Sequence, residues 1–144
     1  MRPLLPLLSL SLGLLLLSCE KDKKLDLENF FECSQSQAAD SATTAQRLAG
    51  TWTWVKQFGA WGVGFREPDK KVEVQFSPDG HFTLREQDVL TAQGTWNIRT
   101  YGNGVSVQLS QPATYFWGSI LFCDAHVAFI SSPHDGTDYY FRRK

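Results

Sequence analysis

The sequence predicts an all-β protein: a small eight-stranded antiparallel up-and-down barrel with a short N-terminal helix. Three observations carry this. From Thr51 onward, apolar residues recur with period two rather than 3.6. The runs are short, and clusters rich in Pro, Asp, Ser and Gly separate them, as tight turns require. No helical periodicity interrupts them, and strands joined in succession by short connections can close into a barrel that removes exposed edges. An open two-sheet sandwich is the alternative arrangement of the same strands.

The first residues stand apart from this pattern. Arg2 precedes an apolar stretch from Leu4 to Leu17, broken only by Pro6, Ser9, Ser11 and Gly13. A bilayer-spanning helix needs about 20 apolar residues, so this stretch has the size of a signal-peptide core instead. It ends in Leu16-Leu17-Ser18-Cys19. That junction resembles the lipobox of bacterial lipoproteins, where a small residue precedes a cysteine that is joined to diacylglycerol. The resemblance implies a signal peptide over residues 1–18 and lipidation, palmitate-type acylation included, at Cys19. Two or three acyl chains make a durable anchor. The protein is therefore expected in the cell envelope, lipid-anchored to the outer membrane on its periplasmic or surface face. An ordinary secretory signal followed by a chance cysteine is the competing reading.

Glu20 to Glu32 is charged and weakly periodic. It reads as a tether, so residues 19–37 form the lipidated cysteine and its linker, and 38–144 the barrel domain. A coil of about 13 residues spans roughly 20 Å. Of the three cysteines, Cys33 and Cys123 remain after Cys19. In an exported protein they are expected to form a disulfide rather than persist as two buried thiols. Next, Asp40 to Ala49 followed by Gly50 reads as a short helix, with Asp40 or Ser41 as N-cap, alanines within and glycine at the stop.

The strands follow in order: Thr51–Gln57, Val72–Phe76, His81–Glu86, Thr95–Thr100, Val105–Leu109, Tyr115–Phe122, His126–Ser131 and Asp138–Arg142. Ser77-Pro78-Asp79-Gly80 and Ser132-Pro133-His134-Asp135-Gly136 are turns by their chemistry, Pro presetting φ and Gly admitting φ > 0.

Leu48-Ala49-Gly50-Thr51-Trp52 looks like the Gly-x-Trp signature that opens the first strand of lipocalins and related calycins. Gly59 to Pro68, Val74 to Phe82, Gly94 to Ile98 and Asp135 to Arg142 are similar to segments of bacterial lipocalin-like lipoproteins in the same order. The resemblance covers most of residues 48–144. It implies that Trp52, beside Gly50, closes one end of the barrel and that Arg142 packs across its indole. Classical lipocalins are longer and have deeper barrels.

Chemical motifs are few. Cys123 and His126 have a Cys-x-x-His spacing, which is half a metal site at most. His134-Asp135 sits in a turn, and no Gly-x-Ser-x-Gly elbow accompanies it. Gly59 to Gly64 is glycine-rich but opens no helix to hold phosphate. No catalytic residue, metal or cofactor is therefore assigned, and the chain is read as a non-enzyme. The formal net charge is −1, and loss of Arg2 with the signal makes it −2, without a basic face for nucleic acid.

The aromatic residues are the unusual resource. Trp52, Trp54, Trp61, Trp96 and Trp117, with Phe58, Phe65, Tyr101, Tyr115 and Phe116, fall largely on strands or in the first loop. They can fill a small barrel outright, or line its mouth. The candidate ligand contacts are Trp54, Phe58, Trp61, Phe65, Tyr115 and Trp117. The expected function is non-enzymatic binding of a small apolar or amphipathic ligand by a membrane-anchored module. The rival is a filled barrel whose loops contact a protein or glycan partner.

Overall fold

The computed structural model describes residues 27–37, 39–59, 64–102 and 104–144. Two helices, α1 (Leu27–Ser36) and α2 (Ser41–Leu48), precede the strands. These are β1 (Gly50–Gly59), β2 (Gly64–Arg66), β3 (Val72–Phe76), β4 (His81–Glu86), β5 (Val89–Tyr101), β6 (Gly104–Leu109), β7 (Ser119–Cys123), β8 (His126–Ile130) and β9 (Asp138–Arg143). Eight of them run β6-β5-β4-β3-β1-β9-β8-β7, every neighbour antiparallel, while β2 pairs only with β1. The result is a nearly closed up-and-down barrel with short helices ahead of it, compatible with a lipocalin-like fold. Only the seam between β6 and β7 lacks a ladder among the described residues.

Alternation sets the interior. Val72, Val74 and Phe76 of β3 and Phe82 and Leu84 of β4 are buried, while Gln75, His81 and Arg85 on the opposite face are exposed. Trp52, Trp54, Trp96, Phe129 and Phe141 complete an aromatic core. β8 breaks the pattern: Val127, Ala128, Phe129 and Ile130 are all buried. The cause lies outside the barrel, where Phe30 of α1 packs with Ala128, Ile130 and Tyr140.

That helix gives the last part of the segment read as a tether, residues 27–36, a defined structure. From Leu27 the chain is helical, and Phe30 is 1% exposed with its ring 5.4 Å from that of Tyr140. Burying one phenyl ring contributes about 1.5–3 kcal/mol toward holding the helix against the wall. The Cys33–Cys123 disulfide, Cα–Cα 5.4 Å, fastens the same helix to β7, as expected. Helix α2 begins where the sequence places it, Asp40 Oδ1 accepting from the Thr43 N–H at 2.7 Å.

Two strand bounds also differ from expectation. β5 starts at Val89, not Thr95, because Gln87 and Asp88 form a two-residue turn with φ of +51° and +66°. The span Tyr115–Phe122 is not one strand. Thr114–Phe116 is a 3₁₀ turn, and the strand begins at Ser119.

Candidate functional site

The 3₁₀ turn decides what the barrel can hold. Tyr115 and Phe116 are both buried and reach into the interior from the β6–β7 connection. The Phe116 ring lies 5.6 Å from Phe76, 5.0 Å from Phe129 and 5.6 Å from Phe141. Tyr115 stands 5.5 Å from Trp54 and 5.2 Å from Tyr139. Rings from β1, β3, β8 and β9 thus meet on two side chains of the connection. Among the described residues, these two side chains take up interior space between the strands.

A polar tie holds this plug. The Tyr115 hydroxyl donates to Glu86 Oε1 at 2.7 Å, and Lys70 Nζ donates to Glu86 Oε2 at 2.6 Å. The ammonium of Lys70 and, secondarily, the tyrosine hydroxyl hold the Glu86 carboxyl below its ordinary pKa. Burial, helped by the bond to Glu86, pushes the Tyr115 phenol up to about 12. At neutral pH the phenol is therefore a donor and the carboxylate an acceptor, as the geometry needs.

The five described candidate ligand contacts do not converge. Trp54 and Tyr115 belong to the packed interior. Phe58 and Phe65 stack on each other at 5.1 Å, and Phe65 also approaches Tyr140 at 5.9 Å, on the outer side near α1. Of the five that the structure describes, Trp117 alone stands at the seam groove with its ring largely in water, 62% exposed. Trp61 lies outside the described residues, as does Cys19.

The seam does contain a groove of about 450 Å³. Val107, Leu109, Pro112, Ala113, Phe116 and Trp117 give it an apolar wall, and Tyr101, Arg99 and His134 stand among its other lining residues. Its volume falls within the range of small-molecule sites, roughly 300–1,000 Å³. Gly118 makes the site sterically possible. Its φ is +88°, and a Cβ there would collide with the Ile130 carbonyl, so only glycine lets Trp117 turn out while the chain hugs β8. Tyr101 Oη and Ser119 Oγ, 2.8 Å apart, bridge β5 and β7 across the seam.

Sequence reasoning missed Arg99, Val107 and Leu109 as site residues, because on strand pattern they are ordinary wall positions. Their exposure to a groove follows from the missing β6–β7 ladder, which no local motif announces. His134 was visible only as a turn residue. Its neighbour Asp135 ends the 3₁₀ turn Ser132–His134 with φ +59°, and the His134 side chain lines the groove. Cys123 is consumed by the disulfide, so the Cys-x-x-His pair offers no free thiolate.

At the barrel's other feature, the Gly50–Trp52 end, one assignment needs correction. Arg143, not Arg142, covers the indole, its guanidinium 4.3 Å from the Trp52 ring. The register pairs Trp52 with Arg143 and Thr53 with Arg142, so alternation turns Arg142 to the other face. Arg143 also donates to the Ala49 carbonyl at 2.9 Å and to the Arg47 carbonyl. Trp52 Nε1 donates to the Leu48 carbonyl at 2.7 Å. Gly50 has φ +140°, and a Cβ there would strike the Arg143 guanidinium. The end is thus sealed by α2, Trp52 and Arg143 together.

In comparisons with protein-family models, curated proteins and solved structures, nothing matches this chain.

Proposed function

We propose that this chain is a lipoprotein of the bacterial cell envelope, anchored through Cys19, whose lipocalin-like barrel binds a small amphipathic ligand without catalysis. The ligand sits on the barrel wall, in the seam groove beside Trp117, and not inside the barrel. The observation that carries this is the groove itself: an apolar wall of strand and turn residues next to a largely exposed tryptophan. Exposed tryptophan on a concave apolar surface is costly unless something covers it. The packed interior supports a second reading, a filled-barrel module that contacts a protein or glycan partner through its loops. Exposed Phe65 beside the first loop favours that one.

Native mass spectrometry of protein purified from the expressing cell's envelope separates the two. A removable extra mass on the wild type that is lost in Trp117→Ala supports the groove. A clean mass on both supports the partner module. Anchoring has its own test: Cys19→Ser is expected to move the protein from the membrane to the soluble fraction, and unchanged membrane association would refute lipidation.

A further inference from the structure

The groove has a chemical polarity that its apolar wall does not explain. Two of its lining side chains, Arg99 and His134, bring nitrogen donors to it, and no carboxylate lines it among the described residues. Arg99 is on β5 and His134 on the turn before β9, so two distant parts of the chain bring these groups to one site. Elsewhere among the described residues the lysines are matched, although exposed Arg66 is not. Lys70 meets Glu86 at 2.6 Å, Lys71 meets Asp88 at 2.5 Å, and Lys144 meets Glu73. Among the described residues, the Arg99 and His134 side chains enter no ion pair and no hydrogen bond. A guanidinium left without a partner beside an apolar cleft is suited to an anion that carries an apolar tail.

We infer that the groove selects an anionic single-chain amphiphile, its alkyl part on Leu109, Phe116 and Trp117 and its carboxylate on Arg99, with His134 as a second donor. This rests on the groove being the ligand site. A cleft of about 450 Å³ accommodates a chain of roughly ten carbons rather than a two-chain lipid. The carboxylate gains charge-assisted hydrogen bonds from Arg99, while the alkyl chain covers the Trp117 ring that now faces water. An uncharged amphiphile of equal length keeps only the second contribution. A cationic one meets Arg99 with repulsion.

The test is calorimetric titration of the full chain in lipid nanodiscs, with empty nanodiscs as the blank that removes partitioning. The probes are decanoate, decanol and decyltrimethylammonium. Decanoate is expected to bind at least tenfold more tightly than decanol, about 1.4 kcal/mol, and decyltrimethylammonium not at all. Arg99→Ala should bring decanoate down to the affinity of decanol, and Arg99→Lys should restore part of the difference. Arg99 is exposed, so neither substitution threatens the fold. If decanoate and decanol bind alike and Arg99→Ala changes nothing, the anion selectivity is overturned while the groove stands. If no probe binds above the blank, or if Trp117→Ala leaves all three affinities unchanged, the groove falls with it.

Discussion

The wall formed by β8, β9 and β1 and the seam between β6 and β7 use the same strand chemistry and end in opposite states. β8 has a strand on each side, the aromatic core against its inner face and Phe30 of α1 against its outer face. Its backbone and both side-chain faces are satisfied, and a disulfide fastens the covering helix. The seam has two strand edges without a shared ladder, one hydroxyl pair bridging across it, and Trp117 facing water. Unpaired edges are a liability that most proteins cover. Here Phe116 fills the seam from inside, and the outer half is left as a groove. Packing covers both faces of one wall, and an open groove is left at the other.

Breaking the covered wall should have the largest effect. The Cys33–Cys123 bridge spans 90 residues, and closing such a loop is worth about 4–5 kcal/mol in the chain-entropy model. Guanidinium denaturation with and without dithiothreitol should show a loss of that order. By contrast, the groove substitution Trp117→Ala should shift stability by no more than about 0.5 kcal/mol, because the residue is exposed. Equal losses in the two experiments would erase the division between wall and seam.

A middle-sized effect is expected at the sealed end. Arg143→Ala removes a cation–π contact with Trp52 and the bonds to Ala49 and Arg47, together worth about 1–3 kcal/mol. Arg142→Ala, one residue away on the opposite face, should cost clearly less. Thermal denaturation of the pair checks the register directly, and a larger loss at Arg142 would contradict it.

The same two arginines show what the sequence could and could not disclose. The barrel, the capped helix α2 and the disulfide were legible, since each depends on local period, turn chemistry or composition, while the Trp52 end followed only from the resemblance of Gly50-Thr51-Trp52 to the lipocalin signature. Which arginine meets Trp52 depends on which face Tyr140 takes. Tyr139, Tyr140 and Phe141 are apolar in succession, because α1 covers the outer face of β9, so alternation cannot be read there. The helix itself was obscured for the converse reason. Its one buried phenylalanine is meaningful only beside Ala128, Ile130 and Tyr140, which are remote in sequence. Tyr115 and Phe116 look like strand residues because β-propensity does not distinguish a ladder position from an aromatic plug. The β4–β5 hairpin was missed at its start because Gln87-Asp88 holds positive φ without a glycine.

The smallest effect sharpens the seam side of the comparison. Glu86 joins the plug to the wall through Tyr115 and Lys70, and its folded pKa lies below the ordinary value of 4.5. A depressed carboxylate contributes stability that is complete above the unfolded pKa and is lost as pH falls through the folded one. Glu86 and Lys70 are both partly exposed, so solvent screening limits the contribution to about 1 kcal/mol or less. Between pH 7 and a pH below 4, wild type should therefore lose slightly more stability than Glu86→Gln, which has no charge to lose. The difference should shrink in high salt. If the tie positions the plug, Tyr115→Phe should remove part of that pH difference, since it deletes one of the two bonds that lower the carboxyl pKa. An unchanged difference in Tyr115→Phe would assign the whole effect to Lys70, and the plug would then be held by its ring contacts alone.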